Sequence, residues 1–367
     1  MSARLLFAAF APKTLEPANS IGNKFQRLLE KLDLPSAVGN RTVAVKMHLG
    51  GGGGFSTIHP FFVRKLIQAV RKAGAREVFV TDLRRDISGA IDRGYTEEVF
   101  GCRIVPVCGE DERDFKTFPV EPPFHGMDRI ELSGAILKAD VLLDFSHVKG
   151  HGVCGFGGAS KNLSMGAVTD KMRQMLHGLE GGLVWKEEKC SHCGSCIANC
   201  PNGAMKFDEN GRLDVFYHNC KFCQHCVLIC PEQAITMTAG GYLDFQKGMA
   251  MTSAKLLEQF PEDRRLFINM LMDTTIFCDC WSMTTPRLIP DIGILAGRDI
   301  VAVEQATLDL INREELIPKS LPEGWDLLEG RSLHLFERIH HKDPYAVVRY
   351  LEELGCGTAD YALEEIE

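Results

Sequence analysis

The chain has 367 residues, of which 45% are hydrophobic and 25% charged, and its formal net charge is −8 at pH 7. This is the composition of a soluble globular protein long enough for two or three domains. The acidic balance disfavours nonspecific nucleic-acid binding, which depends on a basic surface. No apolar run reaches the roughly 18 residues of a membrane span. We therefore expect neither nucleic-acid nor membrane partners.

Strand and helix patterns alternate along the first part of the chain. Short runs of β-branched and apolar residues between turn signals indicate strands, and an apolar face at helical spacing indicates helices. In chain order we expect strands at 4–10, 42–48, 77–82, 103–108 and 140–148, and helices at 24–32, 61–70 and 131–138. This alternation predicts an α/β fold with a mostly parallel sheet that is covered on both faces.

Two glycine-rich loops follow predicted strands, where open α/β sheets place their ligands. The first loop begins with five consecutive glycines, residues 50–54. Glycine lets backbone N–H groups approach an anion closely, and the following helix N-terminus attracts it. We expect a phosphate or carboxylate to be bound by Gly52, Gly53, Ser56 and Thr57. The alternative is a mobile surface turn.

The second glycine-rich loop, residues 149–166, mixes polar side chains with glycines. Lysine supplies a point charge for an anion, and histidine passes a proton near neutral pH. We expect the backbone to approach a ligand at Gly155, Gly157 and Gly158, and the functional side chains to be Lys149, His151, Lys161 and Asn162. The alternative is a solvated loop with ordinary surface lysines.

A repeated cysteine pattern dominates residues 190–231. Each half reads C-x2-C-x2-C-x3-C-P, the bacterial ferredoxin spacing for two cubane iron–sulfur clusters, in which the fourth cysteine crosses to the other cluster. One [4Fe–4S] cluster would be held by Cys190, Cys193, Cys196 and Cys230, and the second by Cys220, Cys223, Cys226 and Cys200. Zinc knuckles are the alternative, but zinc needs neither the third cysteine nor the prolines.

The α/β pattern resumes after this cysteine module. We expect a helix from about Ser253, a strand at 265–273, helices at 301–312 and 343–354, and a solvated acidic helix or tail at 352–367. The pattern therefore predicts a discontinuous α/β domain, residues 1–182 and 242–367, with a small α+β ferredoxin-like domain inserted at 183–241. Three domains in a row are the alternative.

Cys278 and Cys280 are a further candidate pair outside the module. In an extended segment, residues i and i+2 point to the same side, so both sulfurs would face one site. Such a pair can chelate a soft metal, bind an extra cofactor or act as a thiol couple, although each cysteine alone is more often a small buried hydrophobe. Asp82, beside Arg84 and Arg85, is either a ligand contact or part of a surface ion pair.

Several motifs together resemble one protein family. They are V-K-M-H (45–48), K-G-H with G-F-G-G-A-S-K-N-L-S-M-G (149–166), the cysteine module, C-D-C-W (278–281) and P-D-I-G-I-L-A (290–296). This combination is similar to the iron–sulfur proteins catalogued as domain of unknown function 362. The resemblance implies a lactate racemase-like α/β domain with an inserted ferredoxin. It also implies one shared site made by Lys149, His151, Lys161, Asn162, Cys278 and Cys280.

These features predict an electron-transfer oxidoreductase. Two clusters would relay electrons from a low-potential ferredoxin- or flavodoxin-like donor to an anionic substrate or cofactor in the α/β domain, with His151 or a lysine as proton donor. Fourteen cysteines in a large chain favour a reducing cytoplasm, in an anaerobic setting. The alternatives are a non-enzymatic electron carrier that docks a redox partner, and a metal or cluster maturation factor.

Overall fold

The computed structural model describes residues 2–201, 203–217, 219–220, 224–238, 240–281, 283–330 and 332–367. The strands are β1 (Ala3–Ala9), β2 (Thr42–Lys46), β3 (Glu77–Asp82), β4 (Arg103–Pro106), β5 (Phe115–Phe124), β6 (Met127–Ser133), β7 (Val141–His147), β8 (Lys149–His151), β9 (Gly155–Gly157), β10 (Leu183–Trp185), β11 (Met205–Phe207), β12 (Leu213–Val215), β13 (Ile235–Met237), β14 (Arg265–Leu271), β15 (Gly293–Gly297) and β16 (Tyr361–Glu365). The helices are α1 (Ile21–Lys31), α2 (Leu34–Val38), α3 (Pro60–Lys72), α4 (Arg84–Ser88), α5 (Glu97–Phe100), α6 (Gly134–Leu137), α7 (Ala159–Gly166), α8 (Asp170–Gly178), α9 (Ser195–Ala198), α10 (His225–Ile229), α11 (Tyr242–Leu257), α12 (Ile300–Ile311), α13 (Leu335–His340) and α14 (Ala346–Glu353).

The main sheet has eight strands in the order β16-β1-β15-β14-β7-β2-β3-β4. The strands from β14 to β4 pair in parallel, and β16 is parallel to β1. Only β15, among the described strands of this sheet, runs antiparallel to its neighbours. The predicted mostly parallel α/β sheet is therefore confirmed.

The sheet separates two hydrophobic cores. Along β2, Val43 and Val45 face one core and Ala44 faces the other, as the alternation of a strand requires. Helices α1 and α3 cover the first face, and α7, α11 and α12 cover the second. Every residue of β7 is buried, because both faces of this central strand are covered.

Parallel pairing brings several strand ends to one edge of the sheet. Lys46, Asp82 and His147 are the last residues of β2, β3 and β7. The carboxyl ends of such strands are where open α/β sheets bind ligands. The second glycine-rich loop follows β7 directly, so its residues lie at the same edge.

The segment 183–241 forms small elements of its own. Two two-stranded sheets, β10 with β13 and β11 with β12, accompany the short helices α9 and α10. Cys196, Met205 and Cys226 are part of a small buried cluster there. Gly194 and Gln224, both in the left-handed region, precede α9 and α10 at equivalent positions. The sequence repeat is thus accompanied by a repeat in the backbone.

Two expectations about local structure are wrong. Residues 131–138 are not one helix: β6 continues to Ser133 and pairs with β5 as a hairpin, and only Gly134–Leu137 is helical. His125 and Gly126 have φ angles of 47° and 89°, and positive φ at two central residues is the geometry of a tight hairpin turn. The helix that we expected from about Ser253 begins at Tyr242.

The end of the chain is also different from expectation. Residues 352–367 are not only a solvated acidic helix or tail, because Tyr361–Glu365 forms β16 beside β1. Ile366 is buried, and its N–H donates to the carbonyl of Phe7 at 2.8 Å. Charged residues are common on an edge strand, which is why this strand looked like a solvated segment. Among the described helices, none has both the length and the apolar character needed to cross a bilayer.

Candidate functional site

A cleft of about 460 Å³ opens at the carboxyl edge of the sheet. The lining includes five cationic side chains, namely Lys46, Arg85, Lys149, Lys161 and Arg173. Two aspartates are the carboxylates among the described lining residues, so the wall carries an excess of positive charge. A cleft with this balance favours a small anionic ligand.

A buried ion pair lies at the floor of the cleft. Lys46 Nζ donates to Asp82 Oδ1 at 2.9 Å, and both side chains are 0% exposed. Lys46 also donates to Asn162 Oδ1 at 2.7 Å, and Asn162 Nδ2 donates to Asp144 Oδ1 at 2.7 Å. Although burial opposes ionisation, Lys46 and His48 hold the pKa of Asp82 well below its usual range. Asn162 therefore links the end of β2 to the middle of β7, and it also lines the cleft.

His48 lies beside this pair, and its ring contacts the carboxylates of Asp82 and Asp86. Its Nδ1 is 3.2 Å from Asp82 Oδ2 and 3.5 Å from Asp86 Oδ2. Burial alone would lower the pKa of His48, but the hydrogen bond and charge of Asp82 raise it to about 9. His48 is therefore a cation at neutral pH. Protonation, together with the nearby Lys46, makes the His48, Asp82 and Asp86 group a poor divalent-metal site, although its ligand atoms lie within 4.8 Å of one another.

Asp279 anchors the second glycine-rich loop from below. It is 2% exposed, and its Oδ2 lies 2.9 Å from His147 Nδ1 and 3.2 Å from Lys149 Nζ. Burial raises the pKa of Asp279, but His147 and Lys149 outweigh it and lower that pKa well below the usual range. Lys149 also donates to the carbonyl of His147 at 2.7 Å. The ammonium group of Lys149 is thus held in place at the wall of the cleft.

Cys278 and Cys280 flank this aspartate and both line the cleft. The segment is not extended as expected: Asp279–Trp281 forms a short 3-10 turn, with Trp281 N–H donating to the Cys278 carbonyl at 3.0 Å. The two sulfurs nevertheless converge and lie within 4.8 Å of each other. Cys278 is 1% exposed, whereas Cys280 is exposed.

The two thiols differ in acidity. A hydrogen bond from Cys280 lowers the pKa of Cys278 well below its usual range, and Lys161 and Lys149 lower it further. Lys161 Nζ donates to Cys278 Sγ at 3.3 Å. The hydrogen bond between the two cysteines, together with burial, raises the pKa of Cys280. Cys278 is therefore the more acidic of the two thiols, so a single negative charge on the pair would lie on the buried sulfur.

His151 approaches this pair from the second loop. One ring nitrogen lies within 4.8 Å of both sulfurs. The Nδ1 atom accepts hydrogen bonds from the backbone N–H groups of Val153 and Cys154, at 3.2 and 3.3 Å. An accepting Nδ1 places the proton of the neutral ring on Nε2. In this tautomer Nε2 of His151 is a hydrogen-bond donor, and it has no lone pair to offer a metal.

The glycines of the second loop have packing reasons that sequence reasoning missed. A Cβ at Gly158 would lie 2.4 Å from Glu304 Oε1, and one at Gly157 would lie 3.2 Å from the Lys161 side chain. Gly155 has a φ of +80°, where side chains are strained. Gly157 and Gly158 line the cleft. Each of these glycines thus has close neighbours within the protein, and ligand binding at Gly155, Gly157 and Gly158 stays a prediction.

The N-terminus of α7 is occupied by a buried carboxylate. Glu304 accepts from the N–H groups of Ala159 and Ser160, at 2.9 and 3.3 Å, and from the Ser160 hydroxyl at 2.6 Å. Asn269 donates to the same carboxylate at 3.0 Å. The N-terminus of α7 is thus satisfied by a carboxylate of the protein itself.

The first glycine loop packs on the segment that carries the cysteine pair. Ser56 Oγ donates to Asp279 Oδ1 at 3.3 Å, and Thr57 Oγ1 donates to the His48 carbonyl at 2.9 Å. Gly52 is exposed and lines the cleft, and its neighbour Gly53 is also exposed. Ser56 and Thr57 are buried and hold neighbouring segments in place, whereas Gly52 is available to a ligand.

A second, smaller cavity lies in the cysteine module. Cys190, Cys193, Cys196 and Cys230 all line it, so the last cysteine of the second half joins the first three of the first half. At equivalent places in the repeat, the N–H of Ala204 donates to Cys200 Sγ at 3.1 Å and that of Ala234 to Cys230 Sγ at 3.3 Å.

Of the second predicted ligand set, the structure describes three members. Cys200 and Cys220 are partly exposed and Cys226 is buried. Cys223 lies outside the described residues. None of the cysteines that the structure describes forms a disulfide.

The module touches the cleft through aromatic rings. Trp281, which follows Cys280, stacks on Phe277 with ring centroids 4.0 Å apart and lies 4.3 Å from the ring of Phe216. Phe216 accepts a backbone hydrogen bond from Cys220 N–H at 3.2 Å. A continuous chain of contacts thus joins a cysteine of the module to the cysteine pair of the cleft.

Comparisons with known proteins add a family and two distant structures. No curated protein matches the sequence. The lactate racemase apoprotein of Thermoanaerobacterium thermosaccharolyticum is 12% identical, with a TM-score of 0.40 over 82% of this chain and 57% of that one. A Thermotoga maritima protein is 13% identical, with a TM-score of 0.32 over 67% of this chain and 61% of that one. The chain spans less than two thirds of either protein.

The family comparison covers most of the chain. The sequence model described as a domain of unknown function, DUF362, matches residues 43–309. This range includes β2, both glycine loops, the cysteine module and the cysteine pair of the cleft. The chain therefore belongs to the DUF362 family, as its motifs led us to expect.

Proposed function

We propose that this protein is an iron–sulfur oxidoreductase that relays low-potential electrons to a small anionic substrate in the cleft. The module would hold two [4Fe–4S] clusters, and a ferredoxin- or flavodoxin-like donor in a reducing cytoplasm would supply the electrons. When bound, the clusters supply one electron each.

The observation that carries the proposal is the composition of the module cavity. Three cysteines of the first half and Cys230 of the second line it together, which is the crossed ligand set of a two-cluster ferredoxin. Independent zinc knuckles would group the cysteines within each half instead. The N–H groups that donate to Cys200 and Cys230 are the kind of hydrogen bond by which a protein tunes cluster potential.

The cleft supplies the other requirements of a reductase. Lys149 and Lys161 are fixed cations that can hold and orient an anionic group. His151 carries its hydrogen on Nε2, where it can donate a hydrogen bond to the substrate, and a lysine ammonium can supply the proton. Gly52, at the rim, leaves room for the ligand to approach the backbone. The rings of Phe216 and Trp281, with centroids 4.3 Å apart, link the module to the segment that carries Cys280 by the short contacts that electron tunnelling requires.

Anaerobic purification followed by iron, sulfide and zinc analysis tests the proposal. We expect iron and sulfide in the amounts of two cubane clusters, and reduction should give the EPR signal of interacting [4Fe–4S]⁺ centres. The Cys230→Ser variant should lose the signal of one cluster, whereas Cys356→Ser, outside the module, should keep both. Stoichiometric zinc without sulfide would refute the proposal.

A further inference from the structure

We propose that Cys278 and Cys280 are a redox-active pair that cycles between dithiol and disulfide and reduces a small anionic disulfide in the cleft. This inference rests on the proposed function only for its electron supply. It assigns the last electron carrier of the protein and the chemical class of its substrate.

The arrangement of the two sulfurs is the first reason. They lie within 4.8 Å of each other, with Asp279 between them in sequence, at the start of one tight turn. The buried Cys278 is stabilised as a thiolate by Lys161, whereas Cys280 keeps the proton and faces the cleft. One stabilised thiolate beside one accessible thiol is the division of labour that thiol–disulfide exchange needs, because a stabilised thiolate is also a good leaving group.

A metal site is the competing interpretation, and the donor set argues against it. The third candidate ligand is His151, whose Nδ1 is engaged by two backbone N–H groups. Its Nε2 then carries a proton, so ligation of a metal through Nε2 would require an imidazolate. Lys161 at 3.3 Å from Cys278 Sγ occupies the place of a second positive charge. Lys161 thus already supplies the positive charge that a metal ion would bring to the Cys278 sulfur, and His151 already carries a hydrogen on Nε2.

The exchange balances with the groups that the site holds. Cys280 attacks one sulfur of the substrate R–S–S–R while its proton passes to Cys278, and one thiolate R–S⁻ leaves. Cys278 then attacks Cys280 Sγ, the second substrate sulfur leaves as R–SH with that proton, and the internal disulfide closes. Two electrons and one proton later restore the thiolate and the thiol. The electrons come from the low-potential donor, one at a time, through the module.

The route for those electrons is the aromatic contact between the two parts of the protein. The path runs from Cys220 through one backbone hydrogen bond to Phe216, across 4.3 Å to the ring of Trp281, and along one peptide bond to Cys280. Trp281 therefore positions the pair and connects it, without touching the substrate.

The charge of the cleft selects the substrate class. Five lysines and arginines line it against two aspartates, and His48 adds a further positive charge below about pH 9. A disulfide with carboxylate groups is stabilised there, and a cationic disulfide is repelled. Glutathione disulfide and cystamine are suitable probes of opposite charge.

The first test measures the pair itself. The full-length protein is equilibrated in dithiothreitol redox buffers and alkylated, and the mass of the peptide that contains residues 278–280 is measured by mass spectrometry. We expect a two-electron transition in which that peptide loses two hydrogens. Cys278→Ser and Cys280→Ser should abolish the transition, and Cys356→Ser should keep it. Continued alkylation under oxidising buffer, or stoichiometric zinc lost from either variant of the pair, would overturn the proposal.

The second test measures supply and substrate in protein whose iron content has been verified. Viologen-reduced protein should re-reduce the disulfide quickly in the wild type and in Trp281→Phe, and Trp281→Leu should lose most of that rate while keeping its clusters. Glutathione disulfide should oxidise the pair faster than cystamine, and the opposite order would refute the substrate class. Because the first test uses a thiol buffer and no cluster, its failure would refute only the redox-active pair. Missing iron would refute only the proposed electron supply through the module.

Discussion

The contact between Lys161 and Cys278 predicts a large effect of removing one charge. The two charged groups are 3.3 Å apart, so at an effective dielectric constant of about 20 they attract each other by about 5 kcal/mol. Lys149 also stabilises the thiolate. If Lys149 and other neighbours compensate for about two thirds of the lost attraction, the thiolate is destabilised by about 1.7 kcal/mol. This corresponds to more than a tenfold change in the deprotonation equilibrium of Cys278. In Lys161→Met we therefore expect the pKa of Cys278 to rise.

The measurement is the pH dependence of alkylation at Cys278 by a small neutral reagent, quantified by peptide mass spectrometry. Cys278 lines the cleft, so iodoacetamide can reach it. The midpoint of the profile should move to higher pH in Lys161→Met and stay in place in Lys72→Met, which removes an exposed lysine at the end of α3. An unchanged midpoint in a folded Lys161→Met protein would show that the other neighbours, Cys280 and Lys149 among them, stabilise the thiolate without Lys161, and would refute the assigned role of Lys161.

Three further predictions concern the groups around the cleft. Burial raises the pKa of Asp144 to about 8. The stability that protonated Asp144 contributes is therefore complete below about pH 4 and is lost as the pH rises to 8, by up to about 1.4 kcal/mol per pH unit. The free energy of unfolding of Asp144→Asn, measured in denaturant, should lack this pH-dependent loss. His48, whose pKa is raised to about 9 by Asp82, should titrate near that pH by NMR, and its stabilising charge should be lost above it, so a midpoint near 6.5 would contradict the contact. Gly158→Ala would place a Cβ 2.4 Å from the carboxylate that caps α7 and should destabilise by about 1–3 kcal/mol, whereas Gly178→Ala, where a Cβ meets no described atom within 4 Å, should be neutral or stabilising.

The sequence predicted the parts of the fold and site that have local signals. Hydrophobic period and turn residues located most strands of the main sheet, and residue spacing alone singled out Cys278 and Cys280. The edge strand β16 and the hairpin β5–β6 were missed, because charged edge residues and a His-Gly turn imitate other patterns. The pairing of β16 with β1, at the other end of the chain, has no local signature.

The buried charges of the site were the main omission. Lys46 and Asp82 are 36 residues apart in sequence, and Glu304 caps a helix that begins 145 residues earlier. Each of these residues looked like an ordinary charge in a strand or helix pattern, and Asp82 was interpreted as a ligand contact or a surface ion pair. A usable signal existed in Lys46 and Asp82, since a charged residue at the end of a buried parallel strand lies at the ligand edge of the sheet.

The neutralised end of α7 has a consequence for how the cleft works. Because Glu304 satisfies the helix N-terminus, an anion in the cleft must be held chiefly by the lysine and arginine side chains that line it, and one of these, Lys161, already binds the Cys278 thiolate. A bound anion and the thiolate therefore compete for one cation, and by linkage each weakens the other equally. Oxidation of the cysteine pair removes the thiolate and releases Lys161, so the oxidised protein should bind anions more tightly than the reduced one. Reduction would then help to expel an anionic product, which couples the redox state of the pair to the occupancy of the cleft.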